Sequence, residues 1–515
     1  MSKYIISLDE GTTSCRTLVI NQQGEIISSD ALEFSQIFPR AGWVEHDAVE
    51  IWNSQRTTLV QSLNKAKIKP SEIAGIGITN QRETVVMWDK RSGLPIYNAI
   101  VWQDRRTAAY CDELIAEGKS DLIQAKTGLV INPYFSATKI KWILDNVEGA
   151  RQLAKENNLL FGTIDTWLIY RLTGGKIHIT DSTNASRTML FNIHTKQWDD
   201  ELLTLLDIPK NILPMVKSSS EIYGYTFPGL LSKETDIQIP IASAIGDQQA
   251  ALFGQLCLEP GEVKNTYGTG CFILMNTGEK PVTSKNGLLT TIALDYQNKI
   301  TYALEGSVFV AGAAIQWLRD QIKIVYHASE TDWYTNLVQD DQQVYVVPSF
   351  TGLGSPYWDS YSRGAIFGLE RGTKREHLVK ATLESLAYQS YDVITAMAED
   401  LQQPIKRIKV DGGASRNEYL MQFQADISQV EVIRPQNIET TAMGAAFLAG
   451  LAVGFWTSPT EIKKILVVGK KYHAKLKQEI VTKLLKGWKV AVKRTLNWLK
   501  DILIHLFIVS KLKYF

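Results

Sequence analysis

The chain has 515 residues, which is too long for one compact core and predicts two or three domains. Apolar residues make up 45% and charged residues 21%, a balance typical of globular proteins, and the net charge of +1 argues against a nucleic-acid partner. The four cysteines form no C-x-x-C pair, which argues against a disulfide scaffold or a cysteine metal site and favours a reducing cytoplasm.

The predicted elements, taken along the chain, indicate an α/β fold. Apolar runs at residues 4–8 and 16–20 flank a polar turn and predict a β-hairpin. A related hairpin with a Thr/Gly turn is predicted at 262–275, about half a chain later, which suggests two related domains. A long amphipathic helix is predicted at 376–401, where apolar residues recur on one stripe. Further strands are expected at residues 73–79, 159–161 and 408–410.

A domain boundary is expected near residue 250, where a polar run gives way to a helix-like segment. The predicted division is an N-terminal domain of residues 1–250, a C-terminal domain of residues 251–498 and an atypical apolar and basic extension of residues 499–515. Residues 461–515 carry 14 Lys and Arg against 3 Asp and Glu, a net charge of +11. Their apolar residues recur at helical spacing, so this region either packs on the second domain or associates weakly with an anionic membrane surface. The extension itself has a third reading, in which it has no function.

Three turns rich in glycine and hydroxyl groups, each at a strand end, are candidate phosphate-binding sites. The turn at 9–14 offers hydroxyls and backbone N–H groups, with Asp9 as a candidate Mg²⁺ ligand and Arg16 as a cation for developing charge. The turns at 268–270 and 411–414 have the same character. Any one of them is more often an ordinary turn, but the three together favour nucleotide binding. The chain has no P-loop and no protein-kinase signature.

Other polar residues are candidates for binding a hydroxyl-bearing substrate. Arg82 and Glu83 can donate to and accept from neighbouring hydroxyls, although an adjacent Arg–Glu pair is also common as a surface ion pair. Trp102 is predicted as an apolar wall or, more commonly for a tryptophan, a core residue. Asp247, at the expected domain junction, is a candidate acceptor for the proton of an attacking hydroxyl, or else a helix N-cap.

Five motifs resemble, in order, those of the glycerol kinases within the FGGY carbohydrate kinase family. They are DEGTTS at 9–14, NQRE at 80–83, WQDRR at 102–106, GDQQ at 246–249 and NTYGTGC at 265–271. Two longer stretches, at 134–146 and 364–384, resemble the signatures of the wider family. The resemblance runs from about residue 3 to residue 498. It implies an α/β fold of two actin-like, ribonuclease-H-like ATPase domains that flank a cleft for nucleotide and substrate.

The resemblance also implies the reaction and its site residues. ATP, with Mg²⁺, would phosphorylate glycerol to sn-glycerol 3-phosphate, with Asp247 as general base and with Asp9 and Asp247 at the metal. The implied substrate contacts are Arg82, Glu83, Trp102, Tyr134, Asp247, Gln248 and Phe272. The implied nucleotide contacts are Thr12, Thr13, Ser14, Arg16, Thr269, Gly312, Gln316, Gly413 and Asn417. A cytoplasmic homo-oligomer, either a dimer or a tetramer, is expected.

The sequence departs from the family pattern in two internal regions. Residues 228–236 hold no Arg where some relatives bind fructose 1,6-bisphosphate, and residues 225–227 hold no His where others are phosphorylated. Two alternative functions stay open: a kinase for another polyol or a ketose, and an actin-like ATPase that serves as a scaffold. The Arg82–Glu83 pair together with Trp102 favours glycerol over both alternatives.

Overall fold

Each half of the chain builds its own central β-sheet in the computed structural model, which describes residues 3–231, 236–338, 340 and 342–500. The strands of the N-terminal half are β1 (Tyr4–Glu10), β2 (Ser14–Asn21), β3 (Ile26–Glu33), β4 (Glu45–His46), β5 (Ile73–Asn80), β6 (Val86–Asp89), β7 (Leu94–Pro95), β8 (Ala99–Ile100), β9 (Leu159–Gly162), β10 (Ile179–Asp181), β11 (Phe191–Asn192), β12 (Gln197–Trp198), β13 (Met215–Lys217), β14 (Ser220–Tyr225) and β15 (Pro240–Gly246). Its helices are α1 (Ala48–Ala66), α2 (Ala108–Ala116), α3 (Ser120–Thr127), α4 (Ser136–Asn146), α5 (Ala150–Lys155), α6 (Ile164–Leu172), α7 (Ser182–Ala185), α8 (Asp200–Leu205) and α9 (Asp247–Gly254).

The C-terminal half continues with a second set of strands and helices. The strands are β16 (Glu262–Tyr267), β17 (Cys271–Gly278), β18 (Leu289–Tyr296), β19 (Lys299–Val308), β20 (Tyr345–Val347), β21 (Ala365–Phe367), β22 (Arg407–Asp411), β23 (Glu431–Pro435) and β24 (Val468–Tyr472). The helices are α10 (Gly312–Asp320), α11 (Thr331–Leu337), α12 (Arg375–Leu401), α13 (Glu418–Ser428), α14 (Thr440–Ala452), α15 (Pro459–Ile465) and α16 (Gln478–Thr495).

The two central sheets share most of their connectivity and differ at the outer antiparallel strands, where β2 pairs with the next strand β3 but β17 pairs with β19. In the first, the strand order is β14–β15–β5–β1–β2–β3, with β1 antiparallel to β2 and parallel to β5. In the second, the order is β18–β19–β17–β16–β22–β23–β24, with β16 antiparallel to β17 and parallel to β22. In both sheets, the first strand of the half pairs antiparallel with the next strand along the chain and parallel with the nearer of two further parallel strands, β5 and β15 in the first sheet and β22 and β23 in the second. This repeat confirms the prediction of two ribonuclease-H-like, actin-like domains.

Helices cover the first sheet on both faces, so its central strand β1 is apolar on both sides. Ile6 and Leu8 pack into the cluster that includes residues of α1. Ile5 points to the opposite face and packs with residues of α14, a helix from the C-terminal half. The packing of α14 on the first sheet ties the two halves of the chain together.

Helices α9 and α14 approach each other closely at two glycines. A Cβ atom on Gly254 would lie 2.0 Å from the carbonyl oxygen of Thr440, and one on Gly444 would lie 2.0 Å from that of Ala250. Only glycine fits at such contacts, and the close crossing holds α9 against the interdomain helix. Because α9 begins at Asp247, this packing also fixes the position of that carboxylate. Residue 250 falls inside α9, and the division at 250/251 stays a prediction.

For the described part of the C-terminal region, the structure supports packing of the apolar stripe on the second domain over association with a membrane surface. The apolar stripe of α16 is buried in the core of the second domain, and the indole Nε1 of Trp488 donates to Asp392 Oδ2 at 2.6 Å. The stripe is therefore packed and is not available to a membrane surface. Among the described residues, no helix combines the length and apolar character needed to cross a bilayer. Residues 232–235 and 501–515 lie outside the described residues, so the expectations for them stay predictions.

Candidate active site

The strand ends that the sequence analysis singled out come together at one cleft between the domains. Arg16, in the first domain, forms an ion pair with Glu439 of the second, with 2.5 Å between its NH1 and the carboxylate Oε2. The rings of Trp102 and Phe272, from opposite domains, lie 6.2 Å apart. The predicted substrate and phosphate sites therefore belong to one site.

Asp247 occupies the first turn of α9, at the start of the helix where backbone N–H groups favour a carboxylate. Its Oδ1 accepts the backbone N–H of Gln248 at 2.7 Å and lies 3.2 Å from Arg82 Nε. Its Oδ2 accepts from Gln248 Nε2 at 3.1 Å. The side chain is 31% exposed, so part of the carboxylate still faces the cleft. Burial raises the pKa of this carboxyl, and Arg82 together with the Gln248 hydrogen bonds acts against the rise.

Arg82 is almost fully buried, so the alternative of a surface ion pair with Glu83 is wrong. Its guanidinium forms a bidentate ion pair with Glu305 of β19, with NH1–Oε2 at 2.6 Å and NH2–Oε1 at 2.9 Å. The nearest Arg82–Glu83 contact is longer, at 3.8 Å. NH2 also donates to the hydroxyl of Tyr134 at 3.3 Å. Arg82 thus joins the two domains and reaches two predicted substrate contacts, Asp247 and Tyr134.

Glu83 is held by a second buried arginine, which the sequence analysis did not predict. Arg187 Nε donates to Glu83 Oε1 at 2.6 Å, and Arg187 NH2 donates to Glu305 Oε1 at 3.0 Å. Glu83 adopts a left-handed backbone conformation with φ of 60°. A non-glycine residue with positive φ is uncommon, and such strain is frequently found at functional sites. The Arg187 hydrogen bond uses Oε1 of Glu83 and holds the carboxylate in place.

Aromatic rings form the apolar side of the pocket. Trp102 makes edge contacts with Tyr134 and Phe272, with ring centroids 5.6 Å and 6.2 Å apart. Its indole Nε1 donates to Thr12 Oγ1 at 3.0 Å, which connects the substrate wall to the β1–β2 turn. Trp102 is half-buried, so the structure supports the wall prediction over the core alternative.

The β1–β2 turn presents the predicted phosphate-binding groups. Gly11 N donates to Ser14 O at 3.0 Å and closes the turn, while Thr13 at its tip is exposed. Arg16 lies below the turn and donates from NH2 to Asp9 Oδ2 at 2.8 Å. Asp9 ends up inside β1 and not in the turn, because the β1 ladder continues to Glu10.

Asp9 and Asp247 suit Mg²⁺, a cation that prefers oxygen ligands and keeps several of its waters. Within the described part of the chain, no group of three or more His, Cys, Asp or Glu side chains could hold a metal ion. Two carboxylates at the cleft are consistent with a cation held by one or two protein groups together with substrate phosphates. The donor set therefore fits Mg²⁺ delivered with a nucleotide.

The predicted nucleotide contacts outside the β1–β2 turn and Arg16 lie on the C-terminal domain, and two of them, Thr269 and Gly312, lie at the β16–β17 turn. Gly312, at the start of α10, donates its N–H to Gly268 O at 3.0 Å, next to Thr269. A Cβ atom on Gly413 would meet no atom within 4 Å, so this position faces open space. The other two predicted contacts on this domain are Gln316 and Asn417. Gln316 is exposed on α10. The Asn417 side chain caps α13, and its Nδ2 donates to Thr331 Oγ1 at 3.0 Å.

Three buried charged residues of this site were missed: Lys264, Arg187 and Glu305. Glu305 lies within the largely apolar strand β19, whereas Lys264 lies in β16, whose other residues are mostly polar. A charged residue inside an otherwise apolar strand needs a buried partner, and this pattern could have marked Glu305 but not Lys264. Arg187 lies outside the strands and carries no comparable signal.

Comparison with known proteins gives two family matches over most of the chain. Models of the N-terminal and C-terminal domains of the FGGY family of carbohydrate kinases match residues 4–254 and 263–453. The glycerol kinase of Mycoplasma capricolum subsp. capricolum is 64% identical over 98% of this chain and 99% of its own length. That of Mycoplasma mycoides subsp. mycoides SC is 64% identical over 97% of this chain and 99% of its own.

Solved structures of similar fold agree with this family assignment. The crystal structure of Plasmodium falciparum glycerol kinase with ADP matches with a TM-score of 0.89 at 37% identity, covering 96% of this chain and 98% of that one. A gluconate kinase from Lactobacillus acidophilus has a TM-score of 0.85 at 22% identity, covering 94% of this chain and 96% of that one, and so shows the shared fold alone. The chain therefore belongs to the FGGY family of carbohydrate kinases and, within that family, to the glycerol kinases.

Proposed function

We propose that this chain transfers the γ-phosphoryl group of ATP to a terminal hydroxyl of glycerol, giving ADP and sn-glycerol 3-phosphate. The observation that carries the proposal is the pocket in which polar and aromatic groups meet at Tyr134. Arg82 contacts Asp247, Glu83 and the Tyr134 hydroxyl, and the ring of Trp102 contacts the rings of Tyr134 and Phe272. A three-carbon chain with a hydroxyl on each carbon needs such an apolar wall together with several donors and acceptors. Relatives 64% identical to this chain are named glycerol kinases, which supports the same substrate.

In the proposed mechanism, Asp247 accepts the proton of the attacking hydroxyl. Phosphoryl transfer needs positioning and charge stabilisation more than covalent chemistry from the protein. The Gln248 amide and Arg82 hold the Asp247 carboxylate in one orientation, so its remaining exposed edge is directed to the hydroxyl. Glu83 and Tyr134 would receive the other hydroxyls.

The β1–β2 turn would hold the phosphates of the nucleotide through Thr12, Thr13 and Ser14. Arg16 would stabilise charge that develops during transfer, provided that it exchanges its ion pair with Glu439 for phosphate oxygens. Asp9 and Asp247 would hold Mg²⁺, which neutralises phosphate charge when it is bound. Thr269, Gly312, Gln316, Gly413 and Asn417 would contact the rest of the nucleotide.

Water is smaller than glycerol and would compete as a nucleophile. Closure of the two domains around glycerol would exclude it. The Arg16–Glu439 and Arg82–Glu305 ion pairs already connect the two domains across the cleft. A ligand bound between the domains would interact with the same charged groups, which supports a change in domain arrangement on binding.

A substrate comparison tests the proposal. ADP release from ATP is measured with glycerol, with erythritol, with xylulose and with no acceptor. We expect glycerol to give the highest kcat/KM and the reaction without acceptor to be slow. A higher kcat/KM for erythritol or xylulose would identify a kinase for another polyol or ketose. Turnover independent of any acceptor would favour an ATPase scaffold.

We further propose a cytoplasmic homo-oligomer, either a dimer or a tetramer. Cys15, Cys111, Cys257 and Cys271 are all buried and unpaired, which supports a reducing compartment. Light scattering coupled to size-exclusion chromatography measures the assembly directly. A monomer at micromolar concentration would contradict the oligomer.

A further inference from the structure

Lys264 is a fully buried lysine at the junction of the two domains. It lies in β16 of the C-terminal domain, and its Nζ donates to Gln248 Oε1 on α9. It also donates to Thr266 Oγ1 at 3.0 Å and to the carbonyl oxygen of Phe272 at 3.2 Å. Three donors on one ammonium thus meet three acceptors, and two of these belong to residues that line the proposed glycerol pocket.

The contact with Lys264 determines how the Gln248 amide is oriented. An ammonium group only donates, so the amide atom that faces it must be the oxygen. The amide nitrogen then points away from Lys264 and donates to Asp247 Oδ2 at 3.1 Å. A carboxylate only accepts, so the opposite orientation of the amide would leave Lys264 and Asp247 each facing a group that cannot bond to it.

We propose that Lys264 is a positioning residue for phosphoryl transfer: by holding the Gln248 amide in one orientation, it directs that amide to the Asp247 carboxylate and fixes the glycerol pocket. The inference rests on the proposed glycerol phosphorylation. Lys264 touches neither substrate nor nucleotide in this account and acts through Gln248. Its bond to the Phe272 carbonyl also fixes the backbone behind the apolar wall.

The charges around Lys264 support an ammonium that stays protonated at neutral pH. Burial lowers the pKa of Lys264 to about 8, while Asp411, Asp247 and Glu305 act to raise it and Arg82 acts to lower it. In return, Lys264 helps to lower the pKa of the Asp247 carboxyl against the effect of burial. A buried lysine with only a packing role would not need acceptors drawn from both domains.

The test compares Lys264→Met, Lys264→Arg and a matched control, Lys409→Met. Lys409 is a partly buried lysine on the neighbouring strand β22, and its Nζ donates to the backbone carbonyls of Gln255 and Leu256. For Lys264→Met, loss of a charged hydrogen bond should lower kcat and raise KM for glycerol by a combined factor of about 10–100. KM for ATP should stay unchanged. Lys264→Arg, which also only donates, should recover part of the loss, and Lys409→Met should keep both constants.

A double-mutant cycle then shows whether Lys264 acts through Gln248. Gln248→Leu should cost activity in the wild-type background and little further in Lys264→Met, because the amide is already misdirected there. Independent, multiplicative effects would overturn the proposal, as would wild-type kcat and KM for glycerol in Lys264→Met.

Should Lys264→Met fail to fold, Gln248→Glu gives a second measurement that keeps Lys264 paired. The new carboxylate can accept from Lys264 but cannot donate to Asp247. We expect a folded protein that is less stable than wild type, because two carboxylates now face each other, and a kcat lower by about tenfold or more. An unchanged kcat would overturn the proposal. Absence of glycerol-dependent ADP release in the wild-type protein would overturn the proposed function itself, whereas normal wild-type activity with unaffected variants overturns the role of Lys264 alone.

Discussion

Glu305→Gln tests the buried charge network most sharply, because Glu305 is the carboxylate that both arginines share. It is fully buried and accepts from Arg82 at 2.6 Å and 2.9 Å and from Arg187 at 3.0 Å. Glutamine keeps the size and one acceptor but removes the charge, which leaves two buried guanidinium groups undercompensated. Breaking a buried ion pair costs about 3–5 kcal/mol, and the retained acceptor favours the lower end of that range. For a domain of this size, such a loss lowers Tm on the order of 6–12 °C.

The assay is calorimetric unfolding without ligand, together with KM for glycerol. Burial acts to raise the pKa of Glu305, but Arg187 and Arg82 lower it to about 2. A folded-state pKa below the ordinary value gives stability that is present above about pH 4.5 and is lost as pH falls towards 2. The difference in stability between wild type and Glu305→Gln should therefore be constant from pH 5 to 8 and shrink below pH 4.5. KM for glycerol should rise about tenfold, because Arg82 loses its orientation.

Glu262→Gln is the matched control for this measurement. Glu262 makes a partly buried contact with Lys409 at 3.4 Å, in the same domain but away from the pocket. Its loss should cost about 1 kcal/mol or less and leave KM for glycerol unchanged. If Glu305→Gln unfolds like wild type and binds glycerol normally, the network does not hold Arg82, and the account of the pocket is wrong.

Three further predictions follow from other parts of the structure. Asp247→Asn keeps the shape of the base but not its proton affinity, so kcat should fall by about 10²–10⁴ while ATP binding by calorimetry persists; near-normal turnover would remove Asp247 as base. Gly312→Ala places a Cβ 2.6 Å from Gly268 O and should lower the free energy of unfolding by about 1–3 kcal/mol. Gly413→Ala has room for its Cβ, so it should keep wild-type stability and raise KM for ATP. The reverse pattern would contradict the assignment of these residues to the nucleotide site. The full chain should pellet with anionic vesicles at low salt more than a chain ending at Trp498. The shortened chain should bind less, because the apolar stripe of α16 is packed in the second domain and cannot contact the vesicle. Equal pelleting would refute a membrane role for residues 499–515.

The local pattern of the sequence predicts most of the fold. The helix predicted at 376–401 is α12, and both predicted hairpins are present as β1–β2 and β16–β17. Apolar runs bounded by glycine and hydroxyl residues carry this information locally. The strands run longer than predicted, because sheet pairing on both sides of β1 extends the ladder through Asp9 and Glu10.

The partners of the site residues could not be predicted in the same way. Arg82 was expected to act with its neighbour Glu83, but its main partner is Glu305, which is 223 residues away in sequence. Arg16 likewise pairs with Glu439 of the other domain. Such pairs depend on how the two sheets are set against each other by α9 and α14, and no short segment contains that information. The residue types of the site were predictable, and their network was not.

The most direct test of the central claim follows the phosphoryl group itself. Phosphorus NMR of a reaction with ATP and glycerol reports ADP, phosphate ester and inorganic phosphate in one experiment. Transfer to glycerol predicts one sn-glycerol 3-phosphate for each ADP, with little inorganic phosphate. In Asp247→Asn, the signals of ADP and of sn-glycerol 3-phosphate should both be lost. ADP that forms together with inorganic phosphate, at the same rate with or without glycerol, would contradict the assignment of this chain as a glycerol-phosphorylating kinase.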